Sequence, residues 1–267
     1  MTWRSMRENN TRRKDNPFDV TVVVTSHHEG RIAHHTMRSL FRSTDFAVER
    51  GLAVEVVIVL DRPNRATENY FSRYKNSGII IKPADFGDLG LSRNLGISLA
   101  SGKYVAILDA DNLISRNWIN EACIYLQKND KRIVAHPEYQ MVFEAKNFVF
   151  RQVSSADERF RLENIIEYNY WDAVCVTRKD VFLECPYEGT TQSQGFGFED
   201  WHWNCQTLAG GVEHHVVPGT VHFMRMKRSG SLLALTRESN RIIRPSRLFD
   251  PATFSAMLDA QRVRRQK

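Results

Sequence analysis

The stretch VAILDADN, Val105 to Asn112, runs apolar until it ends in two aspartates one residue apart. Two ionised carboxylates that close are costly to hold together. A divalent cation removes that cost. Mg²⁺ and Mn²⁺ prefer hard oxygen ligands, and Mg²⁺ usually takes one or two carboxylates plus substrate phosphate oxygens. Asp109 and Asp111 therefore suggest a metal-bridged diphosphate; a solvated turn or a helix cap is the plainer alternative.

A second carboxylate pair, Glu199-Asp200, lies in GFGFEDWHW after a Gly-rich loop and opens a helical pattern. One of them is placed to be a general base toward a hydroxyl. The alternative is a pair that only complements the helix dipole. Trp201 and Trp203 suit stacking against a sugar, and equally suit a core. A third group is VHFMRMKRSGS, where His222 ends a strand-like run and Arg225, Lys227 and Arg228 follow. The imidazole is a candidate metal ligand and the cations are candidate phosphate ligands. A structural histidine and a solvated basic loop are the alternatives.

TSHHEGRIAHH, Thr25 to His35, packs four histidines into a short span. A helical zinc-protease site needs H-E-x-x-H, with both imidazoles one turn apart. His28-Glu29 gives the first half, but Ile32 stands where the second ligand belongs. The zinc reading fails.

The elements that must position these residues follow from periodicity. DVTVVVTS, VEVVIVLD, GIIIKP and KYVAILDADN are short apolar runs of buried-strand type. From Arg31 to Ser43, Ala33, Met37, Leu40 and Phe41 mark one buried helix face, with His34 and His35 early in that helix. LGLSRNLGISLASG and SRNWINEACIYLQ are further helices. Alternating strands and helices predict an α/β fold, a mostly parallel central sheet flanked by helices, with a smaller acceptor-side subdomain. Ligands bind such sheets outside the carboxyl ends of the strands. His27, His28 and Glu29, then Asp61, then Asp109 and Asp111 fall at those ends. In the second half, MVFEAKNFVF predicts a hairpin around Ala145-Lys146-Asn147, SADERFRLENIIEY a helix, WDAVCVT a strand and TTQSQGFGFED a loop. A short amphipathic piece is expected near Ala252 to Leu258. The expected divisions are a basic segment 1–17, a nucleotide half 18–131, an acceptor and catalytic half 132–235, and a basic tail 236–267.

Bulk properties are those of an ordinary soluble chain: 267 residues, 42% hydrophobic, 25% charged. Cys123, Cys175, Cys185 and Cys205 lack C-x-x-C spacing, which predicts reduced thiols in a cytoplasmic protein. There is no secretory leader pattern and no run approaching a membrane span. The net charge of +6 is concentrated at the ends, as in Arg12-Arg13-Lys14. Solvated tails outweigh a nucleic-acid surface, and no nucleic acid is expected. Peripheral contact of the basic termini with the inner face of an anionic membrane is the functional alternative to solvated tails.

These pieces, in this order, resemble a family 2 glycosyltransferase of the GT-A (Rossmann-like) fold. VVVTSHHEG is similar to that family's first strand and loop, with His27 in the usual tyrosine's place. VVIVLDRP resembles its second strand. GLSRNLGISLASGKYVAILDADN resembles the approach to its D-x-D motif, GFGFEDWHW its E-D motif and VHFMRMK its late histidine and basic loop. The resemblance spans about Val20 to Ser231, and implies a metal-dependent inverting transfer of one sugar from a nucleotide-diphosphate sugar to a glycan or lipid-linked acceptor. It implies a nucleotide set of Thr25, His27, Glu29, Asp61, Arg93, Asp109, Arg225 and Lys227. It implies Mn²⁺ or Mg²⁺ on Asp111, Asp109 and His222. Asp200 is then the base, with Glu199 beside it and Trp201 and Trp203 toward the acceptor. UDP-sugar is the favoured donor and GDP-sugar the second choice. Two alternatives stand beside it: a sugar nucleotidyltransferase, which would open with a Gly-rich loop that TSHHEGR lacks, and a non-catalytic protein that binds nucleic acid or anionic ligands by charge.

Overall fold

The computed structural model describes residues 17–129, 131–190, 192–228 and 236–265. The basic N-terminal stretch with Arg12-Arg13-Lys14, and the end of the basic loop from Ser229 to Ser231, lie outside the described residues.

Four apolar runs form the parallel half of the sheet. They are β1 (Phe18–Ser26), β2 (Val54–Asp61), β3 (Ile80–Ala84) and β4 (Gly102–Asp109). β1 sits between β2 and β4, and β3 lies outside β2, all parallel. Between them run α1 (Ala33–Val48), α2 (Arg65–Phe71) and α3 (Leu89–Leu99), and α4 (Trp118–Gln127) follows the short β5 (Leu113–Ile114). The sheet is covered on both faces, so its strands carry apolar residues on both sides: Val22 and Val24 enter one cluster and Val23 the other. α1 buries Ala33, Met37 and Leu40 as its spacing predicts, and leaves His34 and His35 exposed. Gly96 lets α3 lie against β1, since a Cβ there would fall 2.2 Å from the Val23 Cγ1.

The other half of the sheet is mixed. β6 (Ile133–Glu144), β7 (Phe148–Arg151), β8 (Cys175–Arg178) and β10 (Glu213–Met226) complete the order β3-β2-β1-β4-β8-β6-β10-β5, with β7 pairing β6. β8 is antiparallel to β4 and to β6, and β6 is parallel to β10. The mostly parallel expectation thus describes β1 to β4, and the antiparallel β8 joins them to the rest. β6 and β7 form the expected hairpin around residues 145–147.

The helix expected over SADERFRLENIIEY is corrected. Only the 3₁₀ turn Leu162–Ile166 forms. Asp157 accepts from the Arg159 backbone N–H at 2.9 Å and from its guanidinium, a local bonding pattern that competes with a helix. Phe160, Leu162 and Ile165 instead anchor the segment in a small core with Trp171 and Leu208. The amphipathic piece at the end is longer than expected. It is α7 (Pro251–Arg265), started by the Asp250 carboxylate on the Thr253 N–H at 3.0 Å, with Pro251 in the first turn. Phe254, Met257 and Leu258 pack on that same small core. α5 (Lys179–Glu184) and α6 (Glu199–Ala209) complete the helices of this half, with the short pair β9 (Phe196–Gly197) and β11 (Ile242–Ile243) beside them.

All four cysteines are free thiols. No helix among the described residues is long and apolar enough to cross a membrane.

Candidate active site

The carboxyl ends of β1, β2 and β4 meet at one edge of the sheet, and Arg93 ties that edge to α6. Its side chain is 1% exposed. One terminal nitrogen donates to both Asp109 oxygens, at 3.0 and 3.1 Å, and the other donates to Glu199 at 2.9 Å. Burial alone would weaken the guanidinium's hold on its proton. The Asp109 and Glu199 carboxylates outweigh that and hold it charged. Tyr187 lies 5.3 Å beneath the guanidinium as a cation–π partner. Asn94, the next residue, makes a two-point backbone bond to Tyr187, at 2.8 and 3.0 Å, and so fixes that ring. Arg93 was expected on the nucleotide or diphosphate; its terminal nitrogens instead face carboxylates of the two motifs.

Asp109 also accepts from Thr25 at 3.0 Å. Asp111 faces Lys227, whose ammonium lies 2.8 Å from Asp111 and 3.3 Å from Glu29. Burial raises the Asp111 carboxyl to about 6, against the pull of Lys227 and with a push from Asp109. Glu29 in turn caps its own loop by accepting from Ser26 and the His27 N–H. Asp61 accepts three backbone N–H groups, from Phe86, Gly87 and Asp88, at 2.8 to 3.1 Å. The His27 and His28 rings are exposed and stacked 3.6 Å apart, with their nitrogens on the Asp61 and Arg62 carbonyls. Arg225 lies on β10, not in a loop. It is tied to the Asp111 carbonyl and to Glu144.

On the other side, Phe198 precedes α6 in the left-handed region, at φ 57° and ψ 55°. Such strain in a bulky residue costs about 1–3 kcal/mol and collects at functional sites. It presents Glu199 and Asp200 at the first turn. Asp200 accepts from Asn169 at 3.2 Å. Burial, then the neighbouring Glu199 and Asp172 carboxylates, push Asp200 up to about 8.

Asp172, Asn169 and Gln140 were not among the expected residues. Asp172 accepts from Gln140 at 3.2 Å, and its other oxygen lies 3.8 Å from His222 Nδ1. A carboxylate placed immediately before the strand-like run AVCVT was the available signal. Trp203 is a correction. It is 1% exposed, stacks on Phe182 and Tyr187, and donates to the Cys185 carbonyl, so it belongs to the core and offers no face to an acceptor. Trp201 is half-buried with its N–H on the Ile165 carbonyl. A cavity of about 740 Å³ between α7 and the segment from Ser155 to Leu162 contains none of these site residues.

His222 is wholly buried, and among the described residues neither ring nitrogen has a hydrogen-bond partner. An orphaned imidazole beside the Asp172 carboxylate supplies a nitrogen donor that a transition ion such as Mn²⁺ accepts more readily than Mg²⁺. Among the described residues no three such groups are drawn into one metal-sized cluster. Asp111 is instead closed by the Lys227 ammonium.

An open α/β sheet with acidic strand ends and a second acidic pair across the crevice is the arrangement of the GT-A fold. The model of "Glycosyl transferase family 2" matches residues 21–185. The chain belongs to that family. It is 29% identical over 121 residues to an uncharacterized glycosyltransferase of Methanocaldococcus jannaschii, covering 43% of this chain and 39% of that protein. It is 23% identical over 137 residues to the glycosyltransferase GlyG of Streptococcus pneumoniae, covering 49% and 42%. The chain thus spans less than half the length of these curated relatives. Among solved structures it resembles S. aureus TarS in complex with UDP-GlcNAc, with a TM-score of 0.62, 14% identity, and 92% of this chain and 72% of that one covered. It also resembles the mannosyltransferase PcManGT of Pyrobaculum calidifontis in complex with GDP-Man and Mn²⁺, with a TM-score of 0.59, 13% identity and coverage of 92% and 74%. Identities this low speak for the fold alone.

Proposed function

We propose that this enzyme moves one sugar from a nucleotide-diphosphate sugar, with UDP the favoured nucleotide, to a hydroxyl of a glycan or lipid-linked acceptor, with inversion at the anomeric carbon. The observation that carries this is the Arg93 bridge, which sets the D-x-D carboxylate Asp109 and the E-D carboxylate Glu199 on one buried cation.

The donor side supplies the nucleotide site. The stacked His27–His28 pair offers a flat aromatic surface for the base, and Asp61 shapes the loop beside it. Asp111, Asp109 and His222 would hold Mn²⁺ or Mg²⁺, which when bound neutralises charge on the diphosphate. Lys227 is the cation of this side, held by Asp111 and Glu29. Released from Asp111, it pairs with a phosphate oxygen.

The acceptor side supplies the base. Asp200 takes the proton from the acceptor hydroxyl, and that oxygen forms its bond to the anomeric carbon. The bond from that carbon to the diphosphate breaks on the opposite face, and its electron pair leaves with the nucleotide. Glu199, fixed by Arg93, holds the first turn of α6 so that Asp200 faces the crevice. A base held near 8 acquires its active form as pH rises to that value.

The test is nucleotide release from UDP-GlcNAc, UDP-Glc, UDP-Gal and GDP-Man, with water as acceptor and Mn²⁺ present. Release from a UDP-sugar that Asp111→Ala abolishes is the expected result. Release from GDP-Man alone would reassign the base, and no release from any donor by a folded protein would remove the reading.

A further inference from the structure

The hairpin of β6 and β7 carries a pair of aromatic rings in solvent. Phe148 is 45% exposed and Phe150 is 40% exposed, and their rings stack with centroids 6.2 Å apart. Residues directly opposite across a strand pair share one face of a sheet. Phe150 pairs with Gln140, and Gln140 pairs with His222 on β10. Phe150, Gln140 and His222 therefore form one row across three strands, all on one face. Two strand spacings separate the ends of the row, or about 10 Å. The middle member, Gln140, donates to Asp172, and Asp172 neighbours Asp200. The exposed rings thus lie one strand from Gln140, whose amide bonds the Asp172 carboxylate beside Asp200. The next row, Phe148 and Val142, lies beside it.

We infer that Phe148 and Phe150 form a platform on which the acceptor saccharide stacks, one sugar outward from the hydroxyl that reacts; this rests on the glycosyl-transfer reading above. A sugar ring has one face of C–H groups, which packs on an aromatic face, and a rim of hydroxyls, which needs polar partners. The row offers both in sequence: π faces at its outer end, then an amide and carboxylates. A lipid surface would not use the polar inner end. The platform takes the role that Trp203, buried in the core, does not fill.

The test uses the full chain with UDP bound. Saturation-transfer NMR reads contact with cellobiose, chitobiose, lactose and mannobiose as probes, while calorimetry reads UDP. Wild type should transfer saturation to at least one disaccharide. The double variant Phe148→Ala/Phe150→Ala should bind it about tenfold more weakly with UDP binding unchanged. Phe150→Trp, which keeps a flat ring, should retain it. Equal disaccharide contact in the double variant overturns the platform, as does wild type that binds UDP and none of the probes. Loss of sedimentation with phosphatidylglycerol vesicles, with disaccharide contact kept, overturns it in favour of a lipid surface. Wild type that fails to bind UDP removes the donor reading itself, and the platform with it.

Discussion

At the strand ends, the proposed donor side, Asp61 receives three backbone N–H groups, Asp109 a guanidinium and a hydroxyl, and Asp111 an ammonium. Across the crevice, at the proposed acceptor side, Asp200 bonds Asn169 and its own helix start among the described residues, and sits beside two other carboxylates. His222 between the two has no hydrogen-bond partner on either nitrogen among the described residues. The first arrangement pre-organises negative charge with donors already in place, as a site for a charged ligand requires. The second leaves a carboxylate short of compensation, which keeps its proton affinity high, as a base requires. One buried arginine joins them, so the two carboxylate motifs share a cation while differing in solvation.

The largest effect should come from Asp200→Asn. It removes the base and keeps the shape, so kcat for transfer should fall by about 10²–10⁴ with donor affinity unchanged. Steady-state kinetics beside UDP titration checks this. A parallel loss of donor affinity would erase the distinction between the sides. Next is Arg93→Met, which leaves the buried Glu199 and the half-buried Asp109 without their shared cation. It should lower stability by about 3–5 kcal/mol, read by urea unfolding. Trp203→Ala should cost about 3–5 kcal/mol as well, through a core cavity, with acceptor KM little changed in the surviving fold. A large rise in acceptor KM at unchanged stability would return Trp203 to the acceptor.

A smaller effect separates the sides by pH. Asp200 is raised from 3.8 to about 8 in the folded state, so between those values the folded chain holds a proton that the unfolded chain has lost. Stability contributed by this group must then fall as pH rises through that window. The pH dependence of the urea midpoint should flatten in Asp200→Asn. The smallest effect is expected for Lys227→Met. Loss of one charge-assisted bond to phosphate should weaken UDP binding by about 1.5–3 kcal/mol, seen by calorimetry.

The donor side was legible because a parallel sheet repeats one grammar. An apolar run ends, an acid or histidine follows, and a helix begins, so Asp61, Asp109 and Asp111 announce their place. The acceptor side breaks that grammar at β8. An antiparallel strand brings its leading end, not its trailing end, to the crevice, so Asp172 precedes AVCVT and escapes a search for acids after strands. Trp203 misled for a different reason. Aromatic residues flanking Asp200 on a helix occupy different faces, and only packing decides which face is buried. The hairpin was visible as a hairpin, but the row linking Phe150 to His222 depends on register across three strands, and no local spacing encodes that.

The most direct measurement is calorimetric titration of UDP, with Mn²⁺, into wild type, Asp111→Asn and Asp200→Asn side by side. Binding that is lost in Asp111→Asn and kept in Asp200→Asn is the predicted result, and assigns nucleotide and proton transfer to opposite sides of Arg93. Equal loss in both variants, or no binding to wild type, would contradict that division.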